Sequence, residues 1–372
     1  MKALILLGTR PEIIKLYPII KSLRKSERVV VHSGQHYDYI MSQKFLEELR
    51  LPKVDYYLNV GSGTHAEQTA KIMTSLEKIL LKEKPDVVAV QGDTNTVLAG
   101  ALTSIKAGIP CAHVEAGLRS YDWKMPEEIN RIVADHISSV LFPPTKYAAK
   151  NLIREGIPKK KIFITGNTIV DACLEYSGVA KKKSKIVSKL GLGEFALATI
   201  HRAENVDSPK NLKKIYNILS RFPTTIVFPM HPRTRKRLEK AKLLKKLEKN
   251  KKVVLIEPVG YLDFLSLLMN CRFVITDSGG IQEESSILHV PCLTVRENTE
   301  RPESIRSGSN ILVGTEPKRV LYYAKKLLAD DKLYKKMKRT RNPFGDGHSG
   351  RRIADILRSR KFEIEHSNYI GR

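Results

Sequence analysis

The sequence is poor in cysteine and tryptophan and has no long hydrophobic run. Its 372 residues include only four cysteines and one tryptophan. No two cysteines have CxxC spacing, which argues against a disulfide-stabilised small domain and against a structural zinc site. The first hydrophobic run, residues 3–7, stops at Gly8 and is too short for a signal-peptide core or a membrane span. We therefore expect a soluble cytoplasmic protein with reduced thiols and no membrane contact.

The motifs of several common enzyme classes are also absent. The sequence contains no GxGxxG, Walker A or GxSxG pattern, and no set of His, Asp and Glu residues has the spacing of a metal site. These absences argue against a dinucleotide-binding oxidoreductase, a P-loop nucleotidase, a serine hydrolase and a metalloenzyme. We expect neither a metal nor an organic cofactor.

Acidic residues are scarce relative to basic ones. The 65 Lys and Arg side chains outnumber the 39 Asp and Glu, which gives a net charge of +26 at pH 7. Residues 1–150 carry 20 basic and 16 acidic side chains (20 − 16 = +4), and residues 151–372 carry 45 and 23 (45 − 23 = +22). Clustered cations are typical of nucleic-acid binding, so a polyanion-binding protein is one hypothesis.

The most basic part of the second half is the segment 231–252, with 11 basic and 2 acidic residues. Leu238, Ala241 and Leu244 recur there at helical spacing, which predicts one amphipathic helix with a solvated, lysine-rich face. A solvated face is the usual meaning of such a charge run. We therefore expect no nucleic-acid partner.

Short apolar runs alternate with longer amphipathic ones along most of the chain. The predicted strands are residues 3–7, 29–32, 86–91, 111–114, 139–142, 162–165, 195–200, 225–228, 253–256, 273–276, 292–295 and 311–313. Helical spacing between most of them predicts an α/β protein with two doubly wound, Rossmann-like domains that face a central cleft. We predict an N-terminal domain of residues 1–170 and 350–372 and a C-terminal domain of residues 171–349.

The first predicted strand ends in the segment GTRPE, residues 8–12, directly before a helix. A helix start presents free N–H groups and the positive end of the helix dipole, and Arg10 and Lys15 add positive charge. The segment predicts an anion site. An ordinary capped turn between strand and helix is the alternative.

A similar segment, DSGGIQEE at residues 277–284, follows a predicted strand in the second half. Ser278 offers a hydroxyl group, and Gly279 and Gly280 let the backbone approach a phosphate closely at a helix start. Glu284, in the second turn of this helix, is suited to accept hydrogen bonds from ribose hydroxyls. A diphosphate held across the cleft accounts for both segments.

Three carboxylates lie at strand ends or helix starts of the first domain. Asp93 follows the third predicted strand, Glu115 the fourth, and Glu127 opens a helix. Ligands of doubly wound sheets bind beyond the carboxyl ends of the strands, so these acids are candidates for acid–base catalysis. Helix capping is the alternative for Glu127, whereas a strand-closing Glu115 has no structural need for charge. In the second domain His201 ends a strand, either against a ligand or in a structural role.

Eight motifs occur along the chain in the order GTRPE, GDT, HVEAGLRS, PEEINR, TGNT, IHRAEN, DSGGIQEE and TERPE. With them the chain resembles the non-hydrolysing UDP-N-acetylglucosamine 2-epimerases from Gly8 to about Gly347. The resemblance implies the two-domain glycosyltransferase-B-like fold, UDP-N-acetylglucosamine and UDP-N-acetylmannosamine as substrate and product, and a homodimer without metal or nicotinamide. Two motifs depart mildly from the family, with QGDT where HGDT is common and IHRAEN where GHRREN is common.

The resemblance also implies roles for individual residues. Asp93, Glu115 and Glu127 correspond to the family's catalytic acids, and His201 to a further catalytic residue. The residues it implies for substrate and UDP binding are Arg10, Lys15, Phe264, Ser278, Gly279, Gly280, Glu284 and Arg301. Some members bind a second UDP-N-acetylglucosamine as an activator through residues that correspond to Gln35, His36 and Arg202. Segment 61–69 lacks the arginine that such members place there.

The reaction that the resemblance implies is an elimination, because no neighbouring carbonyl acidifies the C2–H bond. A base removes the C2 proton while UDP leaves C1, and UDP then adds back to 2-acetamidoglucal with protonation from the opposite face. Each positioned proton-transfer group contributes about 10²–10⁴-fold to such a rate. A UDP-sugar glycosyltransferase and a hydrolysing epimerase that releases free N-acetylmannosamine are the alternatives within this chemistry.

Overall fold

The computed structural model describes residues 1–34, 49 and 53–359, and the chain divides into two compact units. The first unit comprises Met1–Ala172 together with the chain from Phe344 onward, and the second comprises Cys173–Pro343. The unit boundaries lie after residue 172 rather than 170 and before residue 344 rather than 350.

The first unit is built on a six-stranded parallel sheet with the order β3-β2-β1-β4-β5-β6. Its strands are β1 (Ala3–Leu7), β2 (Arg28–His32), β3 (Tyr56–Tyr57), β4 (Val87–Gln91), β5 (Cys111–Val114) and β6 (Val140–Phe142). β1 lies between β2 and β4 and pairs Leu4 with Val29 on one side and Val88 on the other. Every residue of β1, β4 and β5 is buried, as expected for parallel strands with both faces covered.

The helices of the first unit begin beside the strand ends. They are α1 (Arg10–Ser22), α2 (His65–Glu83), α3 (Asn95–Lys106), α4 (Pro126–Ile137), α5 (Lys146–Arg154) and α6 (Thr168–Lys183), within which the unit boundary falls. Thr94 and Thr145 accept hydrogen bonds from backbone N–H groups in the first turns of α3 and α5. These caps fix the loops that follow β4 and β6.

The second unit contains a parallel sheet with the order β12-β11-β10-β7-β8-β9. Its strands are β7 (Phe195–Thr199), β8 (Thr225–Pro229), β9 (Val253–Ile256), β10 (Val274–Thr276), β11 (Cys292–Thr294) and β12 (Asn310–Leu312). Its helices are α7 (Ile186–Lys189), α8 (Ala203–Val206), α9 (Pro209–Ser220), α10 (Pro232–Lys240), α11 (Leu244–Glu248), α12 (Tyr261–Asn270), α13 (Gly279–Ile287), α14 (Pro302–Ser307), α15 (Pro317–Ala329) and α16 (Asp331–Lys338). Counted within its own unit, each sheet has the strand order 3-2-1-4-5-6, so the prediction of two doubly wound α/β domains is confirmed.

The last described helix, α17 (Ser349–Ser359), packs against α1 in the first unit. Gly350 lies so close to Pro18 that an added Cβ atom would be 2.4 Å from the Pro18 Cβ. Ile353 and Leu357 of the same helix are buried. The C-terminal segment therefore supports the helix that follows the first strand.

The strand predicted at residues 162–165 is wrong. Ile162 makes one isolated bridge to Leu141, the N–H groups of Phe163 and Thr165 donate to the Leu141 and Pro143 carbonyls at 2.9 and 3.4 Å, and the Ile164 side chain is half exposed. An apolar run of this length looks like a strand in the sequence, but it follows the edge of the sheet with too few backbone hydrogen bonds to form one.

The single helix predicted across 231–252 is also wrong, because two helices, α10 and α11, occupy it. Lys242 adopts a positive φ of 55°, which no helix interior allows. Leu238 and Leu244 are buried at the predicted spacing, but Ala241 is exposed. The break leaves the apolar side chains in the core while the lysines remain in solvent.

The four cysteines are buried free thiols. Burial raises the pKa of the Cys111 and Cys292 thiols to about 12, so these side chains act as small core hydrophobes rather than nucleophiles. In the described ranges no helix combines the length and the hydrophobicity that crossing a membrane requires.

Candidate active site

Several candidate residues lie where the strand order of each sheet reverses, its topological switch point. In the first unit this point lies between β1 and β4, and in the second between β7 and β10. Ligands of doubly wound sheets bind beyond the carboxyl ends of the strands at such points. The segments that follow these four strands are 8–12, 92–94, 200–202 and 277–280, which contain Arg10, Asp93, His201, Arg202, Ser278, Gly279 and Gly280.

Gly8 permits a close approach of three chain segments at the end of β1. A Cβ atom on Gly8 would lie 2.3 Å from Ser33 Oγ and 2.4 Å from Thr96 Oγ1, two hydroxyls that hydrogen-bond to each other at 2.9 Å. A larger residue at position 8 would clash with these two side chains, so glycine is required here. Arg10, the first residue of α1, is half-buried beside this corner.

Glu12 is buried directly behind this corner, and the sequence analysis did not select it as a site residue. Its Oε2 accepts the backbone N–H groups of Gly8 and Thr9, the latter at 2.8 Å, and its Oε1 accepts the Thr94 hydroxyl. The pKa of the Glu12 carboxyl rises to about 7, mainly because the group is buried. The hydrogen bonds to Glu12 lower this pKa, and the nearby Asp93 charge raises it further. Glu12 lies three residues after Thr9, which is the spacing of a capping box, and this spacing was the feature of the sequence that could have identified it.

Lys15 and Glu115 form a buried ion pair. The Lys15 Nζ lies 2.6 Å from Glu115 Oε2, and the Gln91 side-chain amide donates to the same oxygen. Lys15 was expected to support UDP, but in this structure its ammonium group holds the candidate catalytic acid. The two donors fix the direction of the Glu115 carboxylate.

Glu115 also has an unusual backbone conformation. Its φ is +68°, in the left-handed region that non-glycine residues seldom adopt. Such strain costs of order 1–3 kcal/mol and persists where the surrounding structure enforces it, often at functional sites. The conformation turns the chain sharply as it leaves β5.

Asp93, directly after Gly92 at the end of β4, is held from helix α4. Arg131 forms an ion pair with the Asp93 carboxylate, and the Asn130 side chain donates to the Asp93 carbonyl at 2.9 Å. The Asp93 side chain remains about a third exposed. Helix α4 thus positions one candidate acid and, at its N-terminal end, carries another.

The structure separates the two adjacent glutamates at the start of α4. Glu128 is buried and accepts hydrogen bonds from the Ser120 and Tyr121 backbone and an ion pair from Arg131. Glu127 is half-buried, and its carboxylate makes no hydrogen bond or ion pair with any described residue. Glu128 therefore has a structural role, whereas Glu127 is available for a ligand.

A buried histidine links the loops that carry the two strand-end acids. His113 Nε2 lies 2.8 Å from the Gly92 carbonyl oxygen, and His113 Nδ1 lies 2.7 Å from Asp135 Oδ1. Asp135 also accepts the Gly117 N–H and pairs with Arg119 at 2.7 Å. Burial alone would raise the pKa of Asp135, but the His113 and Arg119 partners hold it below its usual value. This network fixes both loops relative to each other.

In the second unit, the buried Asp277 holds the loop that contains His201. Its carboxylate accepts the backbone N–H groups of His201 and Arg202, at 3.1 and 3.0 Å, and the Asn205 side-chain amide at 2.9 Å. The His201 ring stacks on His231 with a centroid distance of 5.5 Å, and 41% of the side chain is exposed. Asp277 is thus structural, and His201 presents its ring to solvent.

The glycines at the start of α13 are not required by packing. Ser278 is the N-cap residue, but its hydroxyl makes no capping bond. A Cβ atom on Gly279 would be in ordinary contact with Glu300 at 3.4 Å and with Arg301 at 3.7 Å, and one on Gly280 would meet nothing closer than 3.9 Å. Unlike at Gly8, a small side chain fits here without a clash, and the helix start with the Arg301 guanidinium beside Gly279 suits a phosphate.

Arg301 and Arg202 are both held by buried glutamates. Arg301 Nε donates to Glu283 of α13. Arg202 pairs with Glu300 at 2.9 Å, and the fully buried Arg296 pairs with the other oxygen of Glu300 at 2.7 Å. Both guanidinium groups are therefore oriented before any ligand binds.

The expected ribose contact, Glu284, is buried, and its charge acts on the nearby buried hydroxyl group of Tyr261. Burial, with the Glu284 charge as a further cause, raises the pKa of Tyr261 well above its usual value. Phe264 is partly buried and packs on the same apolar cluster as Ile281 of α13. Both residues are thus close to the α13 start.

Two candidates for a second ligand site, Gln35 and His36, lie outside the described residues. Arg202, the third, is engaged with Glu300. Among the described residues, no group of three or more His, Cys, Asp and Glu side chains has an arrangement that holds a metal ion.

Comparison with known proteins gives a consistent set of matches. The family model described as UDP-N-acetylglucosamine 2-epimerase matches residues 20–358. A UDP-N-acetylglucosamine 2-epimerase of Methanocaldococcus jannaschii is 52% identical over 97% of this chain and 100% of its own length. A UDP-2,3-diacetamido-2,3-dideoxy-D-glucuronate 2-epimerase of Pseudomonas aeruginosa is 40% identical over 96% of this chain and 99% of its own length.

Solved structures match equally well. The crystal structure of the M. jannaschii UDP-GlcNAc 2-epimerase in complex with UDP-GlcNAc and UDP superimposes with a TM-score of 0.88 and 52% sequence identity. The match covers 96% of this chain and 99% of that chain.

Proposed function

The chain belongs to the UDP-N-acetylglucosamine 2-epimerase family, and from this premise we propose that it interconverts UDP-N-acetylglucosamine and UDP-N-acetylmannosamine by inverting C2 of the sugar. The observation that carries the proposal is the 52% identity, over 96% of the chain, to a structure in complex with UDP-GlcNAc and UDP. The acids at the strand ends and helix start of the first unit, and the helix starts that follow β1 and β10, support it.

The proposed reaction is an elimination followed by a re-addition. A base takes the C2 proton, the C–H electron pair forms a C1=C2 double bond, and the C1–O bond to the diphosphate breaks. UDP then adds back to C1 of 2-acetamidoglucal while a second group delivers a proton to the opposite face of C2. The reaction has no net oxidation or reduction, so it calls for no redox cofactor.

Asp93, Glu115 and Glu127 are the proposed proton-transfer groups. Glu127 is half-buried and has no partner among the described residues, which suits a group that exchanges protons with a ligand. Asp93 and Glu115 are each oriented by a cation, Arg131 and Lys15, so their carboxylates are positioned before the substrate arrives.

Negative charge grows on the diphosphate as UDP leaves, and preorganised donors stabilise such charge. We assign this role to Arg10 with the start of α1 and to Ser278 with the start of α13. Arg301 and the exposed ring of His201 add to it. Glu284 would bind the ribose and Phe264 the uracil.

A homodimer, which the resemblance implies, is also part of the proposal. Analytical ultracentrifugation tests it, because a homodimer sediments with twice the mass of one chain.

Incubation with UDP-N-acetylglucosamine in deuterated water, followed by proton NMR, tests the proposal. We expect UDP-N-acetylmannosamine with deuterium at C2, and a product without deuterium would refute the elimination. Free N-acetylmannosamine would indicate a hydrolysing enzyme, and turnover only with a sugar acceptor would indicate a transferase. A parallel incubation uses UDP-2,3-diacetamido-2,3-dideoxy-D-glucuronate, the nucleotide sugar in the name of the Pseudomonas relative. Faster turnover of this compound than of UDP-N-acetylglucosamine would indicate that it is the preferred substrate.

A further inference from the structure

Glu12 connects the loops after β1 and β4, where the strand order of the first sheet reverses, through hydrogen bonds to uncharged groups. Its carboxyl group takes hydrogen bonds from the Gly8 and Thr9 backbone on one side and from the Thr94 hydroxyl on the other. Glu12 forms no ion pair with any Lys, Arg or His among the described residues. A buried carboxyl group with neutral partners alone is costly to ionise.

The position of Glu12 makes its charge matter for an anionic ligand. It lies in the first turn of α1, and its side chain accepts N–H groups at the positive end of that helix. An ionised Glu12 would offset this positive end, and Asp93 in the facing loop contributes a second negative charge. A diphosphate that approaches the same helix start would be repelled by both.

We propose that Glu12 is a positioning residue of the diphosphate site that takes up a proton when the nucleotide sugar binds. This inference rests on the proposed function, because it requires a diphosphate beside Arg10 and the start of α1. The neutral form keeps every contact of the ionised one. Its Oε1–H donates to the Thr94 hydroxyl, which reverses its role, while Oε2 continues to accept the two backbone N–H groups.

The surroundings of Glu12 are consistent with a titration near neutral pH. The charged or titratable groups on the elements around this corner include Arg10 and Lys15 of α1, Asp93 after β4 with its partner Arg131, Glu115 after β5, His32 of β2, and His65 of α2, whose Nδ1 lies 3.1 Å from Asn95 Oδ1. Burial lowers the pKa of His32 to about 4, so that ring stays neutral between pH 6 and 8. The pKa of Glu12 of about 7 leaves it half-ionised at pH 7 before a ligand binds.

Isothermal titration calorimetry with UDP-N-acetylglucosamine, in buffers of different ionisation enthalpy, measures the proton uptake. The esterified diphosphate of this ligand does not itself titrate near neutral pH. With a pKa of about 7, we expect uptake of about half a proton per chain at pH 7 and close to one at pH 8. The Kd should rise about 10-fold between pH 6 and pH 8, since only the neutral form binds well.

The Glu12→Gln variant supplies the decisive comparison. Glutamine keeps an acceptor for the two N–H groups and a donor for Thr94, so we expect it to bind without proton uptake and with a Kd that is constant between pH 6 and 8. Glu77→Gln, at an exposed position of α2 in the same unit, should behave as the wild type. Retained proton uptake in Glu12→Gln would overturn the inference, because another group would then be titrating.

The outcomes also separate this inference from the proposed function. If the wild type binds and converts UDP-N-acetylglucosamine without taking up a proton, the role of Glu12 is refuted and the function stands. If the wild type neither binds nor converts it at any pH, both are refuted. A Glu12→Gln variant that does not fold would be replaced by Thr94→Val. Loss of the hydroxyl should raise the Glu12 pKa further, and an unchanged Kd profile would refute the inference.

Discussion

The ionisation of Glu12 predicts a pH-dependent stability of the first unit. The carboxyl group takes up its proton at about pH 7 in the folded chain and at its ordinary value of 4.5 in the unfolded chain. A folded-state pKa that is raised means that the folded chain binds more protons between these values, so stability falls as the pH rises from about 4.5 to 7. One pKa unit corresponds to about 1.4 kcal/mol, so the loss amounts to about 3 kcal/mol.

Replacing Glu12 by Gln should remove this loss. The neutral amide has nearly the same shape as the protonated acid and keeps its hydrogen bonds to Thr9 and Thr94. We therefore expect the variant and the wild type to be equally stable near pH 4.5, and the variant to be more stable by up to about 3 kcal/mol at pH 8. Urea denaturation of the ligand-free enzyme, followed by circular dichroism at several pH values, measures the difference.

Two results would contradict this reasoning. A stability difference that does not change with pH would mean that Glu12 does not titrate between pH 4.5 and 8. A variant that is less stable at pH 8 would mean that the ionised carboxylate is stabilised in the folded chain. The control Glu77→Gln, at an exposed position of α2, should change the stability by no more than about 0.5 kcal/mol at any pH.

The remaining predictions concern the acids and the glycines. Glu115→Gln and Glu127→Gln should each lower turnover at least ~100-fold in an NMR assay, and wild-type rates in both would refute their assignment. Glu128→Gln should instead lower the free energy of unfolding by about 1.5–3 kcal/mol, because it removes one of the two carboxylates that pair with the buried Arg131, while Asp93 remains as the other. Gly8→Ala should lower stability by about 1–3 kcal/mol through overpacking. Gly279→Ala should leave stability nearly unchanged but weaken UDP binding in calorimetry, and unimpaired binding would exclude close backbone contact with phosphate.

The sequence predicted the fold well because two independent patterns agreed. Runs such as 3–7 and 111–114 are continuously apolar, which is typical of a parallel strand buried on both faces, and amphipathic segments lie between them. The predicted strand at 162–165 shows the limit of this reasoning. An apolar run has the same appearance whether or not a neighbouring strand is in register to pair with it.

The location of the candidate residues at strand ends was predictable for the same reason, but their partners were not. That Glu115 would bind Lys15, 100 positions earlier, depends on a contact between elements distant in sequence. Which of Glu127 and Glu128 is buried likewise depends on the rotation of the helix about its axis and on the position of the Ser120 backbone, which donates to Glu128. The importance of Glu12 was hidden because a capping glutamate looks the same in a sequence whether it is exposed or buried.

The positive φ of Glu115 sets backbone strain against a buried ion pair at a single position. Glycine would relieve the strain, and asparagine tolerates the left-handed region better than most other residues, whereas a β-branched side chain would make the strain worse. Any of these substitutions also removes the carboxylate that pairs with the buried Lys15, which costs about 3–5 kcal/mol against the roughly 1–3 kcal/mol of strain that is relieved. In a library of all substitutions at this position, a screen for thermal stability would therefore retain the same glutamate that the proposed reaction requires.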